Sequence, residues 1–101
     1  MRRPLRIEVS DLARAQIPAA QEWWRVNRPK APNAIREELE RASLLISVQP
    51  EIGALATNIS LAGVLHLARV RYDVYYRVVT DPERIGVLAF WHESRGSGPS
   101  L

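Results

Sequence analysis

The stretch that most limits how this chain can fold is Val70 to Arg95. From Val70 to Val79 the residues alternate strictly: Val70, Tyr72, Val74, Tyr76 and Val78 fall on one side, Arg71, Asp73, Tyr75, Arg77 and Val79 on the other. Successive side chains of a strand point to opposite faces, so this is a strand with one dry and one charged face. β-branched and aromatic residues fill it, as strands prefer. Asp81-Pro82 then marks a turn, because proline presets φ and the preceding carboxylate can accept a local N–H. Ile85 to Trp91 is apolar on both faces, which predicts a central, covered strand. The two form a hairpin closed around Thr80 to Arg84, which delivers His92, Glu93, Ser94 and Arg95 at its far end.

The rest of the chain supplies partners for that hairpin. Leu5 to Val9 alternates apolar and charged residues and predicts a short strand. Ser10 is placed as a helix N-cap with Asp11 in the first turn, opening a helix over Asp11 to Val26 whose stripe is Ala13, Ile17, Ala20 and Trp24, with Trp23 beside it. Pro18 inside that pattern predicts a kink. Asn27 to Pro32 is a connector. A second helix follows to Val48, with Ile35, Leu39, Ala42, Leu45 and Ile46 inward and Arg36, Glu37, Glu38, Glu40 and Arg41 on a solvated face, where Arg36/Glu40 and Glu37/Arg41 are spaced to pair. Glu51 to Ala62 has no sustained period and reads as loop. Val64 to Val79 is longer than one strand of ~3–10 residues, so a turn belongs near Ala68 to Val70.

The order is β-α-α-β-β-β. Grouped helices and grouped strands predict an α+β fold, an antiparallel sheet with a helical hairpin packed on one face. The 101 residues suit a single domain, 1–101, with 96–101 a flexible tail by composition. Trp24, Ile17, Leu39, Tyr72, Val74 and Tyr76 are the expected core; a one-residue register slip would instead bury Tyr75 and Arg77 and expose Tyr76.

Charge and composition narrow the function classes. The 14 basic and 11 acidic residues give a net charge of +3, which permits an acidic partner without demanding one. With no cysteine and two histidines, neither a disulfide framework nor a metal-ligand set is expected, and no cofactor motif is present. No long apolar run follows the basic start, so neither a secretory signal nor a membrane span is expected.

The segments Arg71-Tyr72-x-Val74-Tyr75-Tyr76-Arg77-Val78, Ile85-x-Val87-Leu88 and His92-x-x-Arg95, with Trp23-Trp24 before Asn27-Arg28-Pro29 and Pro50-x-x-Gly53, resemble the RelE/ParE toxins of type II toxin–antitoxin systems over about Leu5 to Arg95. The resemblance implies a small cytoplasmic toxin neutralised by a cognate antitoxin. RelE-like members cut messenger RNA on the ribosome. ParE-like members poison DNA gyrase, and the tyrosine-rich strand resembles that side more closely. A third reading is a toxin-fold protein-binding domain without activity.

A metal-independent ribonuclease would need a base, an acid and cations for the developing charge. The candidates for that role are His92, Arg95, Arg71, Arg77 and Tyr75, with Glu93 assisting: the imidazole to move protons, the guanidinium groups to hold phosphate, and Tyr75 to stack on a base. The preceding strand, Val64 to Leu67, adds only His66, followed by Arg69. In the bland reading, Arg71, Asp73 and Arg77 make cross-strand charge pairs and His92 ends its strand by bonding backbone. For partner binding the candidates are Trp23, Arg95 and Arg71, with an antitoxin segment expected on the helix hairpin and a sheet edge.

Overall fold

In the computed structural model, described for residues 4–55, 62–80 and 82–95, a five-stranded sheet carries two helices on one face. The elements are β1 (Arg6–Val9), α1 (Asp11–Asn27), α2 (Ala34–Val48), β2 (Ala54–Leu55), β3 (Ala62–Leu67), β4 (Tyr72–Val79) and β5 (Arg84–His92), with single 3-10 turns at Pro50–Ile52 and Glu93–Arg95. The sheet order is β1-β5-β4-β3-β2. The expected β-α-α-β-β-β order is present, with the two-residue β2 added where a loop was expected. Aperiodic sequence gives no signal for so short a strand.

The sheet is mixed, not purely antiparallel. β2–β3, β3–β4 and β4–β5 are antiparallel, but β1 runs parallel to β5, with Ile7 opposite Ile85 and Val9 opposite Val87. The helical pair between β1 and the strand run returns the chain to the same end of the sheet, as a parallel crossover requires. β5 is thereby an interior strand, as its two apolar faces imply.

Local signals act as their chemistry dictates. Ser10 caps α1 by accepting from the Ala13 amide at 3.1 Å, while its own amide and hydroxyl donate to the Val87 and Leu88 carbonyls at 2.9 and 2.8 Å. One serine thus starts the helix and fastens it to β5. The helix continues through Pro18, which lies on the exposed side. The turn inferred from length alone spans residues 68–71, and the Val70 and Arg71 amides both bond the Leu67 carbonyl. Arg71 has φ of 61°, a left-handed conformation uncommon for a residue with a Cβ. Val70 therefore ends in the turn, fully buried, instead of starting β4.

The core forms where the dry face of the sheet meets the helix stripes. Ala13 and Ala20 of α1, Ile35, Ala42 and Ile46 of α2, and Val74, Tyr76, Ile85, Val87 and Phe90 of the sheet are buried together, with Ile17, Trp24, Leu39 and Tyr72 packed partly buried against them. Tyr76 is 1% exposed while Arg77 is exposed, so the expected register holds. Three details differ from the expected faces. Val78 is exposed because the dry face runs out beyond Tyr76. Glu38, expected among solvated charges, is buried and bonded by Arg69 at 3.2 Å and Arg41 at 3.5 Å, and Glu37 also turns to Arg69 instead of Arg41. Tyr75, on the far face of the sheet, is buried across from Val64 and Ala89.

A β-bulge explains how β5 serves both faces. Tyr75 pairs with Ala89 but Tyr76 pairs with Val87, leaving Leu88 as the extra residue. The alternation of β5 shifts by one there, so Ile85, Val87 and Phe90 all reach the helix-side core although strict alternation would separate them.

Tyr76 is the centre of this packing. Its hydroxyl donates to the Pro50 carbonyl at 2.7 Å and accepts from the Gly53 amide at 2.8 Å. A Cβ at Gly53 would lie 2.5 Å from that oxygen, and one at Gly63 2.8 Å from the ring. Burial outweighs the Gly53 hydrogen bond and raises the phenol's pKa, so it stays neutral as a donor. Tyr76→Phe leaves a part-buried carbonyl and amide without their partner and is expected to cost about 1–3 kcal/mol. Gly63→Ala is expected to cost about the same through overpacking. Urea denaturation followed by circular dichroism measures both.

Candidate functional site

Chemistry-bearing side chains converge at the end of the sheet where α1 finishes, β4 begins and β5 ends. Trp23 and Arg28 from α1 and its exit, Arg71 and Tyr72 from the β3–β4 turn and the start of β4, and His92, Glu93 and Ser94 from the end of β5 line a groove of about 710 Å³. Topology accounts for the convergence: Tyr72 and His92 are cross-strand partners, and the antiparallel hairpin puts the start of β4 beside the end of β5.

The groove has an aromatic floor. Tyr72 stacks on Phe90 with centroids 4.4 Å apart and planes 6° off parallel, and meets His92 edge-on at 4.8 Å. Trp23 is 47% exposed, off the main helix stripe as its position implies, and tilts against Trp24 at 6.3 Å. The Arg28 guanidinium lies over both indoles, at 5.6 and 5.9 Å, a cation–π arrangement. Trp24 is fixed by its indole N–H, which donates to the Ala31 carbonyl at 2.8 Å.

Hydrogen bonds set what the polar groups can do. The Ser94 amide donates to His92 Nδ1 at 3.1 Å, with the Ser94 hydroxyl 2.6 Å from the same nitrogen. An Nδ1 that accepts carries no proton, so Nε2 holds the hydrogen of the neutral ring. This is the backbone-bonding, strand-ending role anticipated as the bland reading of His92. Arg71 Nε donates to Glu93 Oε1 at 2.7 Å, and the Glu93 amide donates to the Arg71 carbonyl at 3.0 Å. The Arg71 hydrogen bond holds the Glu93 carboxyl below its ordinary value, with Coulombic help from Arg71, His66 and His92.

The sequence candidates divide between two faces. His92, Arg71 and Trp23 share this groove with Glu93. Tyr75 and Arg77 do not: they lie on the sheet face opposite the helices, where Tyr75 is buried too deeply to stack on a base and its hydroxyl's pKa is raised, first by burial and then by Asp73. Arg77 lines a second groove of about 900 Å³ at the β1 edge, with Arg6, Glu8 and Arg84. Arg95 belongs to the closing 3-10 turn, and its side chain lies outside the described residues, as does the tail 96–101. Sequence reasoning missed Arg28 and Tyr72 as lining residues. Arg28 was legible only as part of a connector, and the signal that could have found it is its spacing, four and five residues past two tryptophans at a helix end.

This is an α+β domain with a helical hairpin on a mixed sheet and an aromatic, guanidinium-bearing groove at one end. A solved structure described as "Chromosomal ParDE TA system from P. aeruginosa" shares the fold, with a TM-score of 0.71 over 87% of this chain and 95% of that chain at 19% identity. The family model for the ParE toxin of type II toxin–antitoxin systems matches residues 7–96, and the chain belongs to that family. A search of curated protein sequences finds no match.

The Arg71–Glu93 pair yields a direct test. A carboxylate whose folded pKa is lowered contributes stability above its ordinary pKa and loses it as pH falls through the folded value. The Glu93 carboxyl carbon followed by NMR is expected to titrate below the ordinary glutamate value of 4.5. In Arg71→Ala its midpoint is expected to move back up toward that value.

Proposed function

We propose that this chain is the toxin half of a toxin–antitoxin pair, that it arrests growth by inhibiting DNA gyrase, and that a cognate antitoxin neutralises it. Family membership supports the pairing, and the groove supports a protein target over RNA cleavage. The observation that carries this choice is that the candidate catalytic residues are divided between two faces of the sheet. Glu93 is paired with Arg71, and His92 Nδ1 accepts from the Ser94 amide, which leaves Nε2 as the open atom of that ring. Tyr75 and Arg77 lie on the opposite face of the sheet from this groove. Metal-independent RNA cleavage needs proton-transfer groups and cations gathered on one substrate. What the groove presents instead is exposed aromatic area edged with arginine, the composition of protein contact hot spots.

The antitoxin is proposed to contact Trp23 and the helix hairpin together with an edge of the sheet. β1 is one edge strand and the two-residue β2 the other, and unpaired edges accept added strands.

Purified protein is expected to inhibit supercoiling in a gyrase assay and to leave messages intact on translating ribosomes. Cleaved messages with normal supercoiling would establish the nuclease instead. His92→Ala is expected to retain growth arrest, whereas Arg95→Ala or deletion of Gly96 to Leu101 reduces it, read after induced expression at matched protein levels. Trp23→Ala is expected to weaken antitoxin binding in a titration while its circular dichroism spectrum is unchanged, because the indole is half exposed and outside the core.

A further inference from the structure

Next to the groove, around Glu93, lies a cluster that the proposed activity does not use. His66 of β3 and Asp73 of β4 are cross-strand partners, with His66 Nδ1 2.8 Å from Asp73 Oδ1. Glu93, from the turn after β5, brings Oε2 to 3.4 Å from the same nitrogen. One imidazole nitrogen and two carboxylate oxygens, all within 4.8 Å of one another, come from three separate elements. We infer that His66, Asp73 and Glu93 form a binding site for a single borderline divalent cation of the Zn²⁺ class.

Geometry is the first argument. Zn²⁺ takes imidazole nitrogen and carboxylate oxygen at about 2.0–2.2 Å in a tetrahedron, which sets ligand atoms about 3.3–3.6 Å apart. The His66–Glu93 separation already has that value. The His66–Asp73 separation is that of a hydrogen bond, and it widens by about half an ångström when a metal replaces the shared proton. Three protein ligands leave the fourth position for water.

Charge and orientation are the second. Two carboxylates offset a divalent ion, one of them, Glu93, being shared with Arg71. Glu93 uses its two oxygens separately: Oε1 accepts from Arg71 Nε at 2.7 Å, while Oε2 faces His66. Ligating carboxylates are typically fixed by such an outer hydrogen bond, which orients the free oxygen toward the metal. Arg71 is itself held, its left-handed backbone accepting the Glu93 amide. Side-chain exposures of 51% at His66, 20% at Asp73 and 31% at Glu93 leave an entry path without dispersing the ligands. The mixed His/carboxylate set favours Zn²⁺ over Mg²⁺ or Ca²⁺, which prefer all-oxygen cages.

The test uses the full chain freed of metal by chelator. Calorimetric titration with ZnCl₂ at neutral pH is expected to show one site. His66→Ala and Asp73→Asn are each expected to weaken it by more than the ~10–100-fold that loss of a merely orienting residue produces, while Glu40→Gln on the exposed face of α2 leaves it unchanged. Binding is expected to weaken on acidification, because protons compete for all three ligands. The chain has two histidines, and NMR separates them: added Zn²⁺ is expected to shift the His66 ring signals strongly and those of His92, beside Glu93 but not a ligand, much less. Absence of heat with unmoved His66 signals overturns the site. Equal affinity in wild type and His66→Ala, or movement of His92 instead, shows adventitious surface binding and overturns it equally.

Discussion

The fold depends on how Tyr76 is seated. A phenol ring is driven into a two-layer core against two chain segments that carry no side chain at the point of contact. Gly63 lies opposite it on β3 and Gly53 above its hydroxyl, and a methyl group at either would stand under 3 Å from tyrosine atoms. Its hydroxyl satisfies the Pro50 carbonyl and the Gly53 amide just where the chain leaves the 3-10 turn after α2 for β2. The ring therefore fixes the exit from the helical layer into the sheet, and with it the register of β3 against β4. Burying a polar atom is tolerated there because both of its bonds are made.

Much of this could be read from the chain. Strict alternation from Val70 to Val79 predicts the faces of β4, and Tyr76 and Arg77 obey it. The Ser10 cap, the α1 stripe and the turn inferred from strand length also hold. Four things were not legible, each for a physical reason. The parallel direction of β1 depends on a partner at the far end of the chain, and alternation is blind to direction. The bulge at Leu88 cannot be seen in a segment apolar on both sides. The burial of Glu38 depends on Arg69, which reaches it from beyond β3. Tyr75 carried a functional expectation because its strand neighbours are charged, but Val64 and Ala89 across the sheet cover it.

The candidate site was half legible for a similar reason. His92 and Arg71 were linked by the hairpin pattern, and Trp23 by its place off the helix stripe. What sequence could not supply were the short contacts that hold these groups, the Ser94 amide on His92 and the Arg71 guanidinium on Glu93. Residues 66, 73 and 93 show no ligand spacing along the chain, and only the three-way meeting of β3, β4 and the closing turn brings them together.

The parallel pairing of β1 with β5 also bears on how the protein is made. Ser10 bonds the carbonyls of Val87 and Leu88, and Ser10 and Leu88 lie 78 positions apart. During synthesis the first strand and the start of α1 must wait for nearly the whole described chain before their partner exists, and closing so long a loop is entropically slow. A nascent chain paused on the ribosome thus holds an unpaired strand and an unanchored helix, and the groove built from α1, β4 and the end of β5 does not yet exist. In a molecule of this topology the groove is complete only once β5 and the turn after it have been made.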